Sequence, residues 1–294
     1  MTAPDSQPSL TVVVPCLNEE VTIAGQLDAL ERQEWARPWE VLVVDNGSQD
    51  DSVAVVERYR GRLPGLRVVD ASDRRGQAHA LNVGVREARA TAVAFCDADD
   101  EVASGWVAAM GDALRDHELI GCAASAEKLN EPWARRVRVL ERDRPSQLWF
   151  PPYVPFGGSG GLGVHRRVHE RAGGFDEALP VLFDVDFCVR AQALGAEFVH
   201  VPHALIHYRF RHGWREIFAQ ARMYALYGAL LQKRYKPSEA RFPGLARWTL
   251  TGWRPLVRSL ARSGRREARA RLAWQLGWLL GRYYGSIRYR VLAV

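Results

Sequence analysis

The sequence lacks the marks of several protein classes. No run of about 18 uninterrupted apolar residues is present, so no membrane-spanning helix is predicted. The first residues, MTAPDSQPS, are polar and contain no apolar signal segment, which predicts a cytoplasmic protein. The four cysteines, Cys16, Cys96, Cys122 and Cys188, are scattered through mostly apolar or mixed runs. This distribution predicts buried free thiols and no zinc site.

The phosphate-binding motif Gly-x-x-x-x-Gly-Lys-Ser/Thr is also absent, which argues against a P-loop NTPase. The chain contains 40 lysines and arginines and only 34 aspartates and glutamates. The resulting charge of +6 favours contact with phosphates on a nucleotide, a nucleic acid or an anionic membrane. With 294 residues, 47% of them hydrophobic, the chain can bury one large core, alone or with a small appendage.

Buried strands alternate with amphipathic helices through the first half of the chain. Strands are predicted over 10–17, 40–44, 66–69, 91–95 and 119–125, and helices over 19–32, 50–59, 77–88 and 104–117. Further along, helices are predicted over 132–141, 166–172 and 183–194, and short strands over 198–201 and 204–208. The alternation predicts an α/β fold with a mainly parallel sheet and right-handed crossovers.

The composition changes near residue 213. Residues 1–212 are predicted to form the α/β domain, and 213–294 a helical extension in which arginine is interleaved with tryptophan, tyrosine and leucine. Two interpretations of the extension stay open. Its composition suits helices that lie in the interface of an anionic membrane, and it equally suits a helical cap or a homodimer surface.

Four carboxylates follow one predicted strand. The segment Thr91–Phe95 is apolar, and Asp97, Asp99, Asp100 and Glu101 come soon after it. Like charges this close repel, and a shared proton, a basic partner or a divalent metal with oxygen ligands would relieve the repulsion. Because open α/β folds hold ligands at the carboxyl edge of the sheet, the position favours a bound cation. The alternative is a solvated acidic turn that caps the next helix.

Polar segments also follow the first and second predicted strands. They are PCLNEE, which begins at Pro15, and DNGS, which begins at Asp45. Because parallel strands end at a common edge, both segments and the acidic run are predicted to border one crevice. A carboxylate at Asp45 is suited to accept hydrogen bonds from a base or a ribose.

Six motifs in a fixed order carry a resemblance to a known family. They are VVVPCLNEE, VVDNGSQDDS, DRRGQAHALNVGV, CDADD, GGFDE and DVDFCVR. Over roughly residues 10 to 210, the chain resembles family 2 glycosyltransferases. The resemblance implies the glycosyltransferase A fold, a Rossmann-like, mixed and mainly parallel sheet flanked by helices, followed here by the C-terminal helical extension. It also implies inverting sugar transfer from a nucleotide-diphosphate sugar, with Mn²⁺ or Mg²⁺ at a DxD motif.

The resemblance assigns roles to individual residues. Those that match the family's base and ribose contacts are Pro15, Asn18, Glu19 and Asp45. Those that match its Arg-Gly element beside the nucleotide are Arg75 and Gly76. In the DxD motif, Asp97 is expected to contact the nucleoside and Asp99 to bind the metal. A metal that bridges both phosphates offsets the charge that develops on the departing nucleoside diphosphate.

A catalytic base is expected on the face opposite the leaving group, where it takes the proton from the acceptor hydroxyl. The segment FDVD aligns with the family's base segment, and Asp184 holds the position of the base. Phe183 stands where the family usually has glutamate. Asp186 is the alternative base, and two residues on a helix point about 200° apart, so both cannot serve one acceptor. Capping of the helix start is a further interpretation for both aspartates.

Three further features stay open in the sequence. His207 matches a histidine that serves some relatives as a third metal ligand, and a structural histidine is the alternative. The glycine-rich run at 157–163 either lets a sugar approach the backbone or forms a flexible turn. Arginines at positions 209, 211, 215 and 222 either reach phosphate oxygens or form a charged outer face.

The sequence thus predicts an inverting, metal-dependent glycosyltransferase that moves a sugar from a nucleotide donor to a hydroxyl acceptor. The expected acceptor is a small, lipid-linked or glycan hydroxyl of cell-envelope or glycolipid synthesis, met at the inner face of the cell membrane. No nucleic acid partner is expected. Two rival functions are a non-catalytic transferase-like binding module and a sugar-phosphate nucleotidyltransferase. The second is disfavoured because PCLNEE contains no glycine-rich basic segment.

Overall fold

A computed structural model describes residues 7–137, 145–150, 152–236 and 265–292 of the chain. The chain divides into two compact units. Of the described residues, the first unit contains 7–129, 145–146 and 155–209, and the second contains 130–137, 147–150, 152–154, 210–236 and 265–292. The second unit therefore includes short stretches that the sequence analysis assigned to 1–212. The division at residue 212 remains a prediction.

The first unit is built on an eight-stranded sheet. Its strands are β1 (Leu10–Cys16), β2 (Trp39–Asp45), β3 (Arg67–Asp70), β4 (Ala92–Phe95), β5 (Glu101–Val102), β6 (Leu119–Ser125), β9 (Leu162–His165) and β10 (Phe198–His207). Two short strands, β7 (Ser146–Gln147) and β8 (Pro155–Phe156), lie outside this sheet. The order across the sheet is β3-β2-β1-β4-β9-β6-β10-β5.

The sheet is mixed and mainly parallel. β1 pairs in parallel with β2 and β4, β2 with β3, and β6 with β10. β9 runs antiparallel to β4 and β6, and β5 runs antiparallel to β10. This arrangement confirms the predicted α/β class. The antiparallel strand β9 was not predicted, because its sequence, LGVH, follows a glycine-rich run that resembles a turn.

Helices flank the sheet and form the second unit. Those of the first unit are α1 (Ile23–Glu31), α2 (Ser52–Glu57), α3 (Gln77–Glu87), α4 (Trp106–Asp116), α6 (Arg166–Arg171) and α7 (Phe183–Ala193), with a 3₁₀ turn at Ser159–Gly161. Those of the second unit are α5 (Pro132–Val137), α8 (Trp214–Tyr235) and α9 (Arg265–Tyr289). The last two confirm the predicted C-terminal helices. The remainder of the predicted helix 132–141 lies outside the described residues.

The core of the first unit follows from its valine-rich strands. β1 reads LTVVVPC and β2 reads WEVLVVD, and both are buried along nearly their whole length. Strands buried on both faces read as continuous apolar runs, as these do. Gly84 lets α3 approach them closely, because a Cβ on it would lie less than 3.0 Å from a methyl of Val13. α3 therefore packs directly against β1 and β2.

In the second unit, α8 and α9 pack through three glycines at four-residue spacing. A Cβ on Gly277, Gly281 or Gly285 would lie less than 3.0 Å from a backbone oxygen of α8. Residues four apart lie on one helix face, so the glycines form a groove that admits the backbone of α8. Among the described residues, the model contains no helix with the length and apolarity needed to cross a bilayer.

Candidate active site

The loop after β2 holds Asp45 at the carboxyl edge of the sheet. The Asp45 carboxylate accepts hydrogen bonds from the N–H groups of Gly47 and Ser48, at 3.3 and 3.1 Å. Gly47 has a φ of +85°, a left-handed conformation that favours glycine. In the sheet register Asp45 lies beside Cys16 of β1 and Asp70 of β3. The ends of β1, β2 and β3 therefore lie at one edge of the sheet, and the crevice expected there remains a prediction.

The loop after β1 is bound to the loop after β2. The side-chain oxygen of Asn18 accepts from the N–H of Gln49 at 2.8 Å, and the N–H of Asn18 donates to the Ser48 hydroxyl at 3.0 Å. The N–H of Glu19 donates to the hydroxyl of the serine that begins α2, at 2.7 Å. Pro15 lies in β1, one residue before its end. Pro15, Asn18 and Glu19 therefore stand beside the loop that carries Asp45.

A buried asparagine joins these loops to the start of α3. The side-chain nitrogen of Asn46 donates to two backbone oxygens of the loop after β3, at 2.7 and 2.8 Å. Its side-chain oxygen accepts from the N–H of Gly76 at 2.8 Å. Arg75 lies in the same loop, and a Cβ placed on Gly47 would come 4.0 Å from Arg75 Nε. Arg75 and Gly76 thus lie next to the Asp45 loop.

Three aspartates after β4 form a group that could hold a metal ion. One carboxylate oxygen from each of Asp97, Asp99 and Asp100 lies within 4.8 Å of the others. Asp97 is held from two helices, because Gln77 Nε2 donates to its Oδ1 at 2.8 Å and Gln26 Nε2 donates to its backbone oxygen at 3.0 Å. The carboxylates of the DxD residues Asp97 and Asp99 therefore lie close together, and Asp100 adds a third carboxylate to the group.

Asp100 is the buried member of the group. It is 1% exposed, and its Oδ1 accepts from the N–H of Arg209 at 2.7 Å. Its Oδ2 is buried and has no hydrogen-bond partner among the residues that the structure describes. Burial, followed by the charges of Asp97 and Asp99, raises the pKa of Asp100 well above its usual value. Arg209 also donates from Nε to the backbone oxygen of Asp99 at 2.8 Å, so this arginine fixes the turn that carries the acids.

The group fits a divalent cation. Mg²⁺ and Mn²⁺ prefer carboxylate oxygens, and a cation would supply the partner that Asp100 Oδ2 lacks. It would also offset the like charges that raise the pKa of Asp100. A Cβ on Gly160 would lie 2.6 Å from Asp97 Oδ2 and 3.5 Å from Asp100 Oδ2. Glycine at this position therefore keeps the space beside the two carboxylates open.

Asp184 is the second residue of α7 and is held by backbone N–H groups. Its Oδ2 accepts from the N–H of Ser159, and its Oδ1 from the N–H of Val185, each at 2.9 Å. Burial raises the pKa of Asp184 above its usual value, and these hydrogen bonds offset part of the effect. Leu182, two residues earlier, has a φ of +62°, a strained conformation for a bulky residue.

The turn Ser159–Gly161 brings the acidic group and Asp184 together. Gly160 lies against Asp97, whereas the N–H of the neighbouring Ser159 binds Asp184. Two carboxylates from distant parts of the sequence therefore face the same three-residue turn. This is the arrangement needed if one acid holds a donor complex and another acts on an incoming acceptor.

Asp186 has a different environment from Asp184. It is fully buried, and its Oδ2 accepts from Arg190 Nε at 2.8 Å. Arg190 also donates to the backbone oxygens of Ala172 and Gly174. Asp186 thus belongs to a buried ion pair that holds the turn after α6, which argues against its role as the alternative base.

His207 ends β10 and pairs in the sheet with Glu101 and Ser125. Within the described ranges of the chain, its Nδ1 is buried and has no hydrogen-bond partner. Burial lowers the pKa of His207, the charge of Lys128 lowers it further, and Glu101 acts in the opposite direction. In the described part of the chain, the group with metal-ligand spacing contains the three aspartates and does not include His207. Its role as a ligand remains a prediction.

Three residues of the site were missed by the sequence analysis. Asn46 follows Asp45 directly and connects three loops, a role that polar residues beside a strand end can signal. Gln77 begins α3 and binds Asp97, and its position after the Arg-Gly element gave a weak signal. Ser159 contributes a backbone N–H, which no side-chain pattern could reveal.

Comparison with known proteins agrees with this geometry. The family model described as Glycosyl transferase family 2 matches residues 11–180, more than half of the chain. Among curated relatives, the glycosyltransferase AglE of Haloferax volcanii is 30% identical over 101 residues, which cover 34% of this chain and 33% of AglE. The chain matches about a third of the length of the first such relatives.

Two solved structures share the fold. The mannosyltransferase PcManGT from Pyrobaculum calidifontis, in complex with GDP-Man and Mn²⁺, has a TM-score of 0.65 at 21% identity, covering 96% of this chain and 88% of PcManGT. S. aureus TarS 1-349 in complex with UDP-GlcNAc has a TM-score of 0.57 at 17% identity, covering 96% and 92%. The likeness confirms the predicted glycosyltransferase A architecture. Together with the family model, it shows that the chain belongs to glycosyl transferase family 2.

Proposed function

We propose that the chain transfers a sugar from a nucleotide-diphosphate sugar to a hydroxyl acceptor, with a divalent metal and with inversion at the anomeric carbon. The observation that carries the proposal is the turn Ser159–Gly161, which lies between the acidic group and Asp184. The family model and the nucleotide sugars bound by the two structural neighbours support this class of donor.

The donor side of the site would be formed by the strand-end loops. Asp45, with Pro15, Asn18 and Glu19 beside it, would bind the base and ribose, and Asp97 would contact the nucleoside. Arg75 and Gly76 would lie next to the nucleotide. These assignments rest on the matched motifs and on the shared edge of β1 and β2.

The cation would be held by Asp99 with Asp97 and Asp100, and His207 is a further predicted ligand. When bound, Mn²⁺ or Mg²⁺ offsets the negative charge of the diphosphate without a proton. Gln77 and Arg209 anchor the turn that carries the three carboxylates. The cation would therefore be held at a fixed position. Preorganised charge of this kind acts at the departing group, where negative charge develops.

Asp184 would act as the general base. Its carboxylate removes the proton from the acceptor hydroxyl while the acceptor oxygen bonds to the anomeric carbon. The bond from that carbon to the diphosphate oxygen breaks in the same step, so the leaving group departs from the opposite face and the centre inverts. The N–H groups of Ser159 and Val185 hold the carboxylate, and its raised pKa makes it a stronger base.

A donor screen tests the reaction class. UDP-, GDP- and dTDP-sugars are incubated with Mn²⁺, with Mg²⁺ and with chelator, and release of nucleoside diphosphate is measured. We expect metal-dependent release from one donor, and the inverted anomer in the product by NMR. Release of pyrophosphate from a nucleoside triphosphate and a sugar phosphate would instead indicate a nucleotidyltransferase. No release from any donor, with nucleotide binding retained, would indicate a binding module.

We also propose that the second unit brings the enzyme to an anionic membrane surface, where a lipid-linked or glycan acceptor of the cell envelope would be met. Leu280, Tyr284 and Ile287 are spaced along one face of α9 and are 50%, 54% and 77% exposed. Arg288 and Arg290 beside them are exposed. The described acids of this unit are few, namely Glu131, Glu216 and Glu267. An apolar stripe flanked by arginines complements an anionic lipid surface.

Liposome flotation tests the membrane proposal. The chain should float with vesicles that contain anionic lipid and stay behind with neutral vesicles. A variant carrying Leu280→Ser, Tyr284→Ser and Ile287→Ser should lose most of this binding. Equal flotation of the variant, or a concentration-dependent dimer that the same substitutions abolish, would contradict the proposal and favour a dimer surface.

A further inference from the structure

The motif GGFDE, residues 173–177, has no part in the proposed reaction, yet its last residue is the centre of a charged cluster. Glu177 Oε2 accepts from Arg74 at 2.8 Å and lies 3.1 Å from His79 Nδ1. Its Oε1 accepts from Asn82 Nδ2 at 2.9 Å. Burial raises the pKa of Glu177, but the hydrogen bonds from Asn82 and His79, together with the charges of His79 and Arg74, lower it by more, so its pKa lies below the usual value.

His79 lies between two carboxylates. Only 9% of its side chain is exposed, and its Nε2 lies 3.0 Å from Asp73 Oδ1 while its Nδ1 faces Glu177. An ionised carboxylate accepts hydrogen bonds and cannot donate them. Both contacts are therefore hydrogen bonds only when both ring nitrogens carry a proton. The hydrogen bond from His79 is the largest cause of the lowered pKa of Asp73.

The cluster connects two segments of the site. On one side, Asp73 and Arg74 belong to the loop that continues into Arg75 and Gly76. On the other side, Glu177 precedes Asp184 by seven residues in the same segment. The loop and the turn are therefore joined through charges that lie outside the reaction centre.

The turn itself is firmly anchored on α3. Asn82 Nδ2 donates to the backbone oxygen of Phe175, and the N–H of Phe175 donates to Asn82 Oδ1, each at 2.9 Å. His169 Nε2 lies 3.0 Å from the same Asn82 oxygen. The turn is therefore held on α3 without help from the charged cluster. We infer that the contacts of the cluster act mainly on the loop.

We propose that His79 and Glu177 form a protonation-dependent clamp that positions the Arg75–Gly76 loop relative to the segment leading to Asp184. The clamp consists of Asp73, Arg74, His79 and Glu177. Its existence rests on these contacts alone, and its effect on catalysis rests on the proposed function. His79 is a positioning residue, because it touches neither the acidic group nor Asp184 in the contacts described.

Other charges near the clamp do not replace the imidazolium. In the contacts described, the guanidinium of Arg74 binds Glu177 and donates no hydrogen bond to Asp73. Arg86, also on α3, contributes a weaker charge interaction with Asp73. Burial lowers the pKa of His169 to about 4, so this neighbour stays neutral in the range where an imidazole ordinarily titrates. Loss of the proton from His79 therefore removes one of the two hydrogen bonds through which this histidine joins the loop to the turn, and leaves the direct pair of Arg74 with Glu177.

Backbone hydrogen exchange tests the clamp on the ligand-free chain. Exchange in 71–76 and 178–183 is measured at pH 6 and pH 8.5 and corrected for the intrinsic effect of pH. In the wild-type chain we expect protection of these segments to fall at least about five-fold at the higher pH. His79→Gln cannot donate at both ends, so its protection should be low at both pH values. A pH-independent wild type, or the same pH dependence in His79→Gln, would overturn the proposal.

Nucleotide titrations test the effect on the site. Calorimetry with UDP and GDP in the presence of Mn²⁺ should show several-fold weaker affinity for Glu177→Gln at pH 6. The matched control is Glu118→Gln, which also removes one negative charge, from an acid that pairs with Arg167 just before β6. This variant should bind the nucleotide with the affinity of the wild type. Equal affinity for Glu177→Gln and the wild type would overturn the catalytic part of the proposal. If no nucleotide binds the wild type, the proposed function fails, and hydrogen exchange still decides the clamp.

Discussion

The two units of this chain pack by different means. In the first unit, large side chains fill the core, and Val13, Phe95 and Trp106 are completely buried. In the second, Gly277, Gly281 and Gly285 of α9 lie against backbone oxygens of α8, so close backbone approach replaces side-chain volume. Hydrophobic periodicity therefore predicts most elements of the first unit, although not β9, whereas the packing of the second also depends on the spacing of glycines.

The units differ in charge as well. The acids that could hold a cation or take a proton belong to the first unit, and they are brought together at the strand ends. The described residues of the second unit carry arginines along exposed helix faces and few acids. In the proposed account, the first unit neutralises a diphosphate through a cation and the second meets anionic lipid directly. Substitutions in each unit should therefore affect different measurements.

The largest effect is expected for Asp184→Asn in the first unit. An amide cannot take the acceptor proton, so turnover should fall by roughly 10²–10⁴, the range for loss of a general base. Donor binding and liposome flotation should stay unchanged, because the substitution leaves the loops and the second unit intact. Turnover is measured with the donor found in the screen, and turnover close to that of the wild type would end the assignment.

Asp186→Asn should act on stability instead. The substitution breaks the pair with Arg190. Loss of one partner of a fully buried pair costs about 3–5 kcal/mol of unfolding free energy, and we expect about 2–4 kcal/mol here because 27% of the Arg190 side chain is exposed. Urea unfolding measures this cost. The folded fraction should keep its turnover, in contrast to Asp184→Asn. A stable variant with abolished turnover would reverse the roles given to the two aspartates.

Gly281→Ala tests the packing of the second unit. A Cβ would meet a backbone oxygen of α8, which cannot rotate away, so we expect a loss of about 1–3 kcal/mol in unfolding free energy. The control is Gly25→Ala in α1, where the Cβ would lie 3.3 Å from the flexible end of Glu101. The control should be neutral or more stable, because alanine favours helices. Equal behaviour of both variants in urea unfolding would show that the glycine groove does not determine the packing.

The smallest effect is expected from pH. In the proposed mechanism the working form of Asp184 is the carboxylate, and burial raises the pKa of this residue above the usual value. As the pH falls through this raised pKa, the carboxyl becomes protonated, and kcat/KM should drop by up to about tenfold per pH unit. Because the pKa is raised, the drop should begin at a higher pH than an exposed aspartate would give. A profile without an acid limb would contradict the role of Asp184.

Much of the fold could be predicted because the strands are apolar and the helices periodic. β6 lies where it was predicted, and α3 ends one residue from its predicted end. β9 was missed because glycines precede it, and its place between β4 and β6 depends on long-range pairing. The two short strands predicted at 198–201 and 204–208 form a single strand, β10, with an irregularity between Val201 and Leu205.

The site was predictable where side chains carry the chemistry. The acidic group follows β4 and Asp45 ends β2, and these two strands flank β1 in parallel, so the placement of these acids at one edge of the sheet follows from the sequence pattern. The anchoring of Asp184 by Ser159 could not be predicted, because it uses a backbone N–H in a glycine-rich turn. The pairing of Asp186 with Arg190 follows the four-residue spacing of a helix, yet the depth of its burial appears only in the folded chain.

The central proposal is that the three aspartates after β4 hold one divalent cation, which shields the diphosphate of the donor. Calorimetric titration of UDP and GDP, with Mn²⁺ and with chelator, tests it most directly in the wild type and in Asp99→Ala. The account predicts that one nucleotide binds the wild type only with Mn²⁺ and that this binding disappears in Asp99→Ala. Identical titrations with and without the metal, or unchanged binding by Asp99→Ala, would contradict it.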